Sequence, residues 1–556
     1  MRGKQVLMET LIAQGVSYIF GNPGTTESPF IDSLADYPEL RYIVALHEAV
    51  ALGAASYYAQ ASGKTGVVNF HVAPGLGNAL GMLYNAMKAN SPLVVTAGQQ
   101  DTRLRLREPL LGHDLVAMAA PLTKWSVQAE SADELALLLH RAFKVANDTP
   151  AGPVFVALPI DVLEQETKKK PIPPGTLYTS GLADPAGIKE AAALLLKGNR
   201  PVIVIGNGAL RSRAGKEVLA LAESLGAPIW CQGIRMAAAI PRKHDNVRSR
   251  LPLDAASICK VLDGSDVVLL VGGTFFEELW FSSGSPFPSD AGVIQVEESP
   301  SLLAHKHGVN VGLVGQLKGI LNGLRMAVEE GATSSFREEA ARRNEKMSFL
   351  RAEEALLQRK RAEDQWDCVP ISLPRVMAEI EAALPEDGVI VDEAITASQD
   401  LERTLTIRSS GGYYGARGGG IGQGLPGALG VKLAHPDRPV IAISGDGSAM
   451  YSIQALWTAA HHDLAVVFVI LNNREYRVLK HNLDIYRQRF GADTERPYPH
   501  MELRPPDLGF VDLARGMGVE AVSVTAPDEL GQALTRALLA RRPYLLDVHV
   551  AGKDKG

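Results

Sequence analysis

At 556 residues the chain is too long for a single hydrophobic core and reads as three or four domains. Acids and bases nearly cancel, leaving a formal charge of −6, which argues against a nucleic-acid partner and gives no reason to expect membrane attachment. Cys231, Cys259 and Cys368 are far apart and odd in number, so neither a disulfide framework nor zinc spacing is present, and a reducing cytoplasm is the expected compartment.

The N-terminus reads as an amphipathic helix over residues 5–14, because Glu9 and Gln14 interrupt any signal-like apolar stretch. Helix and strand then alternate to about residue 165, with strands expected at 18–20, 42–45, 66–69, 93–97 and 153–157. Three polar loops leave three of these strand ends: Asn22 to Thr25, His47 with Glu48, and His71 to Asn78, where the next helix is expected to begin. Strand ends on one edge of a parallel sheet share a rim, so these groups can converge. The basic, proline-rich run KKKPIPP at 168–174 marks the first boundary.

A second α/β unit is expected from about 185 to 330, with strands at 201–205, 228–230, 267–271 and 293–296. Its Gly206-Asn207-Gly208 turn invites a dinucleotide reading. The third glycine of that fingerprint is missing and the next strand ends at Cys231-Gln232 without a ribose-binding acid, so a structural role is favoured. Residues 336–366 are rich in Glu, Arg and Ala with opposite charges four apart, as in a solvated connecting helix.

The third domain begins near Pro370 and contains a strand at 388–392, a glycine-rich stretch at 413–426 and a final strand at 545–550. Its centre is a strand–turn–helix–strand unit. The apolar run from Val440 stops at Ser444-Gly445-Asp446-Gly447; a helix-type stretch covers 449–460; a second apolar run, 465–471, closes on Asn472-Asn473. Gly445 and Gly447 permit the tight backbone that turns consecutive N–H groups onto a phosphate. Asp446 and Asn473 each offer one hard oxygen, which suits Mg²⁺, and the backbone carbonyl of Glu475 is a candidate third ligand. The stretch at 480–504, with Lys480, His481, Arg487 and Arg489, reads either as a mobile recognition loop or as a solvated insertion.

The motifs FGNPGTTE (20–27), ALHE (45–48), PLVVTAGQQ (92–100) and GDGS (445–448), with Ser452-Ile453 and Ala455-Leu456-Trp457 beyond, resemble the thiamine-diphosphate-dependent 2-oxo acid decarboxylase and acetolactate synthase family, and within it the benzoylformate decarboxylase branch. The resemblance spans nearly the whole chain. It implies an α/β fold of three doubly wound parallel-sheet domains: pyrimidine-binding (1–165), central and Rossmann-like (185–330), and diphosphate-binding (368–556). It implies non-oxidative decarboxylation of a small-molecule 2-oxo acid to an aldehyde and CO₂, with acetolactate synthase-like carboligation to 2-hydroxy ketones as the alternative. Thiamine diphosphate and Mg²⁺ are the implied cofactors. Each active site is implied to lie between the first domain of one subunit and the third of another, so a homodimer is the minimum and a homotetramer the usual form.

Residue by residue, the resemblance assigns Glu48 to the aminopyrimidine ring, His71 to proton transfer and Thr25 to the substrate carboxylate. Gly419 would offer its carbonyl to the aminopyrimidine, Ile421 would prop the cofactor in a bent shape, and Gly445, Gly447, Ser448, Thr396 and Asn78 complete the cofactor set. Asp446, Asn473 and Glu475 form the metal set. Departures concern substrate: Leu279 falls where a second active-site histidine is expected, and Gly415 and Asn482 fall where phenylalanines line an aryl pocket. His113 stands where related decarboxylases carry a histidine pair, and is read as structural.

Overall fold

The computed structural model describes residues 1–177, 181–233, 240–241, 243–407 and 411–552. The chain divides into two compact units, one of Met1–Thr176, Gln365–Leu401 and Gly415–Gly556, the other of Leu177–Asp364 and Glu402–Tyr414. Three six-stranded sheets carry the fold, as expected for an α/β chain built on three parallel sheets.

The first sheet runs β2-β1-β3-β4-β6-β5, from β1 (Tyr18–Gly21), β2 (Arg41–Val44), β3 (Gly66–Phe70), β4 (Leu93–Gln99), β5 (Ser126–Gln128) and β6 (Pro153–Pro159), all paired in parallel. Gly21 is level with both Val44 and Asn69, so the loops after β1, β2 and β3 leave the sheet side by side. β3, β4 and β6 are buried at every position, which explains their continuous apolar runs.

The central sheet runs β12-β11-β10-β7-β8-β9, from β7 (Pro201–Ile205), β8 (Ile229–Cys231), β9 (Val247–Arg250), β10 (Val267–Val271), β11 (Gly292–Glu297) and β12 (Val311–Val314). Its order reverses between β7 and β10, the crevice where open sheets take ligands. Here the crevice is filled by the chain itself. The Gly208 amide donates to the Gly272 carbonyl at 2.8 Å, and a Cβ on Gly206 would stand 2.3 Å from that oxygen. The glycines of the Gly206-Asn207-Gly208 turn therefore serve backbone-to-backbone packing.

The third sheet runs β14-β13-β15-β16-β18-β17, from β13 (Val389–Glu393), β14 (Tyr413–Gly415), β15 (Val440–Gly445), β16 (Val466–Asn472), β17 (Glu520–Val524) and β18 (Tyr544–His549). Gly445 is level with Leu471, which places the turns after β15 and β16 on one edge. The helices Glu48–Ser62 and Gly424–Ala434 pack at small residues: a Cβ on Gly430 would lie 2.0 Å from the Ala54 carbonyl oxygen.

Three expectations change. The helix expected from Asn78 begins at Val72, because Pro74 sits in its first turn, where no amide donor is needed. The stretch 449–460 is two short helices, Asp446–Met450 and Ala455–His461. The first part of the polar stretch 480–504 is the helix Arg477–Phe490 and the rest is irregular, with Lys480 buried between Glu475 and Glu502 and the Arg487 guanidinium donating to the Pro497 carbonyl at 2.7 Å. Ser334–Asp364 is one long, largely exposed helix, as its charge pattern predicts. Among the described residues no helix is long and apolar enough to cross a membrane.

Candidate active site

Two clusters form at the strand-end rims of the first and third sheets. In the first, Glu48 opens the helix after β2 and is buried; its Oε2 accepts from the Asn78 amide at 3.0 Å. His71 caps the next helix, and its Nδ1 lies 2.8 Å from Oε2 of Glu27. Glu27 also accepts from the Gly24 amide at 3.0 Å and from the Thr26 hydroxyl at 2.7 Å. That carboxylate is a residue the sequence reasoning passed over. The signal was inside a motif already singled out, but its partner lies 44 positions away. Thr25 is exposed, and the hydroxyl near His71 is that of Thr26, at 3.3 Å from Nδ1.

In the second cluster a cavity of about 50 Å³ is lined by Thr396, Gly445, Asp446, Gly447, Ser448, Asn473 and Glu475, with Tyr476 and Arg477 among the rest. Every lining residue lies between positions 373 and 551, so Glu48, His71, Thr25 and Asn78 are not among them. Asp446 is buried, which pushes its carboxyl up to about 6 against the pull of the Gly447, Arg474 and Asn473 amides. Oδ1 accepts from Gly447 at 2.7 Å and Oδ2 from Arg474 at 2.6 Å, so the turns after β15 and β16 are tied together through this side chain. The Asn473 Oδ1 accepts from the Glu475 amide at 3.0 Å. A Cβ on Gly447 would stand 2.5 Å from the Tyr476 ring, so a side chain there would push that ring aside.

Three left-handed backbone positions fall at these turns. Val72, Ile395 and Arg474 have φ of +37°, +51° and +60°, and they adjoin His71, Thr396 and Asn473 respectively. Such conformations cost free energy in a side-chain-bearing residue and persist where the surrounding structure enforces them.

Gly419 and Ile421 belong to neither cluster. They lie in the segment before the Gly424–Ala434 helix, where Gly420 pairs with Asn85, one heptad beyond Asn78 on the Val72–Lys88 helix. The end of that segment next to the helix is tied to Glu393, the last residue of β13, through the Gln423 and Gly424 amides, and sequence reasoning missed this residue too. Burial pushes the Glu393 carboxyl up to about 7. His113 is exposed and uses its backbone carbonyl to accept from Gln99. Leu279 is 59% exposed.

The arrangement suits a diphosphate cofactor at the second cluster. The cavity has room for a few water-sized groups directly beside the Gly445–Ser448 turn. Family models for thiamine pyrophosphate enzymes match residues 1–118 (N-terminal TPP-binding domain), 188–324 (central domain) and 396–548 (C-terminal TPP-binding domain). A benzoylformate decarboxylase of Pseudomonas aeruginosa is 34% identical over 97% of this chain and 97% of its own. The chain is a thiamine pyrophosphate enzyme. A putative acetolactate synthase large subunit of Mycobacterium tuberculosis is 30% identical over 99% of both chains. Among solved structures, a thiamine diphosphate-dependent 4-hydroxybenzoylformate decarboxylase of Rhodococcus jostii matches this thiamine pyrophosphate enzyme with a TM-score of 0.86 and 29% identity over 100% of each chain.

Among the described residues no group of three or more His, Cys, Asp or Glu side chains is arranged to hold a metal. One carboxylate and one amide at adjoining strand ends fit the sparse protein ligation of Mg²⁺, which takes its remaining ligands from phosphate and water.

Proposed function

We propose that this thiamine pyrophosphate enzyme decarboxylates a 2-oxo acid non-oxidatively, releasing CO₂ and an aldehyde, with the cofactor's diphosphate held through Mg²⁺. The observation that carries the reading is the Glu27–His71 pair, on the same strand-end rim as Glu48. Aldehyde release requires a proton to be delivered to carbon after CO₂ departs. With Nδ1 engaged by the Glu27 carboxylate, His71 Nε2 is the atom proposed to deliver it, and the carboxylate stabilises the charged imidazolium. Relatives named for benzoylformate and 4-hydroxybenzoylformate decarboxylation support this class of substrate.

When bound, thiamine diphosphate supplies the electron sink for the departing carboxylate. Asp446, Asn473 and the Glu475 carbonyl would hold Mg²⁺, while Gly445, Gly447, Ser448 and Thr396 would bind the diphosphate. Glu48, its Oε2 oriented by Asn78, would hydrogen-bond the aminopyrimidine ring. Gly419 would accept from the ring's amino group, Ile421 would support the bent cofactor, and the exposed Thr25 hydroxyl would hold the substrate carboxylate. A second copy of the chain would complete each site. That division is supported by a cavity lining drawn only from positions 373–551.

The test is a panel of 2-oxo acids, aliphatic and aromatic, with CO₂ and aldehyde read together. Equal yields of the two support the proposal. Acyloin or acetohydroxy acid without free aldehyde would assign a carboligase instead, the activity for which the acetolactate synthase relatives are named. No CO₂ from any member would refute both.

A further inference from the structure

The segment from Ala416 to Gln423 has no helix or strand and contains Gly418, Gly419 and Gly422 with φ of +87°, +88° and +92°. A glycine-rich stretch of this kind is ordinarily loose. Here its backbone is held by three buried side chains, two from neighbouring elements and one from the segment itself. Glu393, at the end of β13, accepts from the Gln423 amide at 2.9 Å and from the Gly424 amide at 2.7 Å. Asn85, on the Val72–Lys88 helix, takes both sides of Gly420: it accepts from the amide and donates to the carbonyl, each at 3.1 Å. Gln423 folds back on its own segment, accepting from the Arg417 amide at 3.2 Å and donating to the Arg417 and Gly420 carbonyls at 2.7 and 2.6 Å.

The three side chains are 1%, 3% and 2% exposed. A carboxylate at such depth is costly, and it is retained where its hydrogen bonds fix one geometry. Helix capping explains the bond to Gly424 but not the bonds that Asn85 and Gln423 make four to seven residues upstream. Gly420 lies between Gly419 and Ile421, so what grips Gly420 sets both neighbours.

We propose that Asn85, Glu393 and Gln423 form a clasp that presets the Gly418–Gly422 segment, and that they are positioning residues for the aminopyrimidine end of thiamine diphosphate. The inference rests on the reading of Gly419 and Ile421 given above. Its energetic logic is preorganisation: the ordering cost of a segment with four glycines is met during folding, so that it is not subtracted from cofactor binding.

Hydrogen exchange on the full-length, cofactor-free protein tests the clasp first. The amides of Arg417, Gly420, Gln423 and Gly424 should exchange at least about 100-fold more slowly than an exposed loop. Exchange at loop-like rates would overturn the proposal without any variant. Asn85→Ala and Glu393→Gln should each speed exchange across 416–424 by about tenfold or more while peptides from β15 and β16 keep their rates. Each should also weaken calorimetric binding of thiamine diphosphate with magnesium by about tenfold or more. A folded variant that binds within about twofold of the parent would reduce the clasp to a helix cap and overturn it. If the parent itself does not bind thiamine diphosphate, the cofactor reading fails, and the exchange rates still judge the clasp.

Discussion

Replacing Glu27 with Gln tests the proton-delivery pair with little change of shape. The carboxylate is nearly inaccessible, with side-chain exposure of 1%, and it serves three donors: Gly24, Thr26 and His71. An amide can keep its oxygen toward Gly24 and His71 and turn its nitrogen to the Thr26 hydroxyl, so the site stays folded. What it loses is charge. A hydrogen bond to a charged group is worth about 1.5–3 kcal/mol, against about 0.5–1.5 for a neutral one, so the His71 bond weakens by about 1–2 kcal/mol. Burial leaves little solvent screening to reduce that figure. If the charged imidazolium is needed only as the proton moves, kcat should fall by about 5- to 30-fold with KM nearly unchanged. The assay is steady-state release of CO₂ and aldehyde from the best substrate of the panel, alongside calorimetry to show that cofactor binding is intact. A kcat within about twofold of the parent would refute the assignment of Glu27 and His71 to proton delivery.

The other predictions concern cofactor, metal and packing. Glu48→Gln should bind thiamine diphosphate yet lose about 100-fold or more in turnover, and full activity would remove Glu48 from the chemistry. Asp446→Ala should abolish magnesium-dependent cofactor binding by calorimetry. Because burial raises the Asp446 carboxyl to about 6, protons compete with the metal there, and affinity should drop about tenfold per pH unit below that value. The linkage sign for the cofactor-free fold is opposite. A folded-state value above the ordinary 3.8 stabilises at low pH, and that contribution is lost as pH rises through about 6. Gly430→Ala drives a methyl to 2.0 Å from the Ala54 carbonyl and should destabilise the unit by about 3 kcal/mol or more in denaturant unfolding.

Much of this was legible in the sequence because the chemistry sits where apolar runs stop. The runs at 440–443 and 466–471 are buried strands, and their level ends bring Asp446 and Asn473 into one cavity. β5, β9 and β17 were not legible, being short edge strands with half-exposed positions that give no continuous apolar signal. Glu393 and Glu27 escaped for another reason. A buried carboxylate looks like any surface acid until its partners are known, and those partners lie 30 and 44 positions away. The strain at Val72, Ile395 and Arg474 is likewise a product of tertiary packing, since none of these residue types favours a left-handed backbone.

The most direct measurement mixes two inactive variants. Glu48→Gln and Asp446→Ala each spoil a different half of the proposed site, and subunits exchanged between them at equal amounts yield half mixed dimers. Each mixed dimer carries one intact site if the halves come from different chains, so activity should return to about a quarter of the parent level. No recovery, in a mixture shown by mass to contain mixed dimers, would contradict a site shared between two copies.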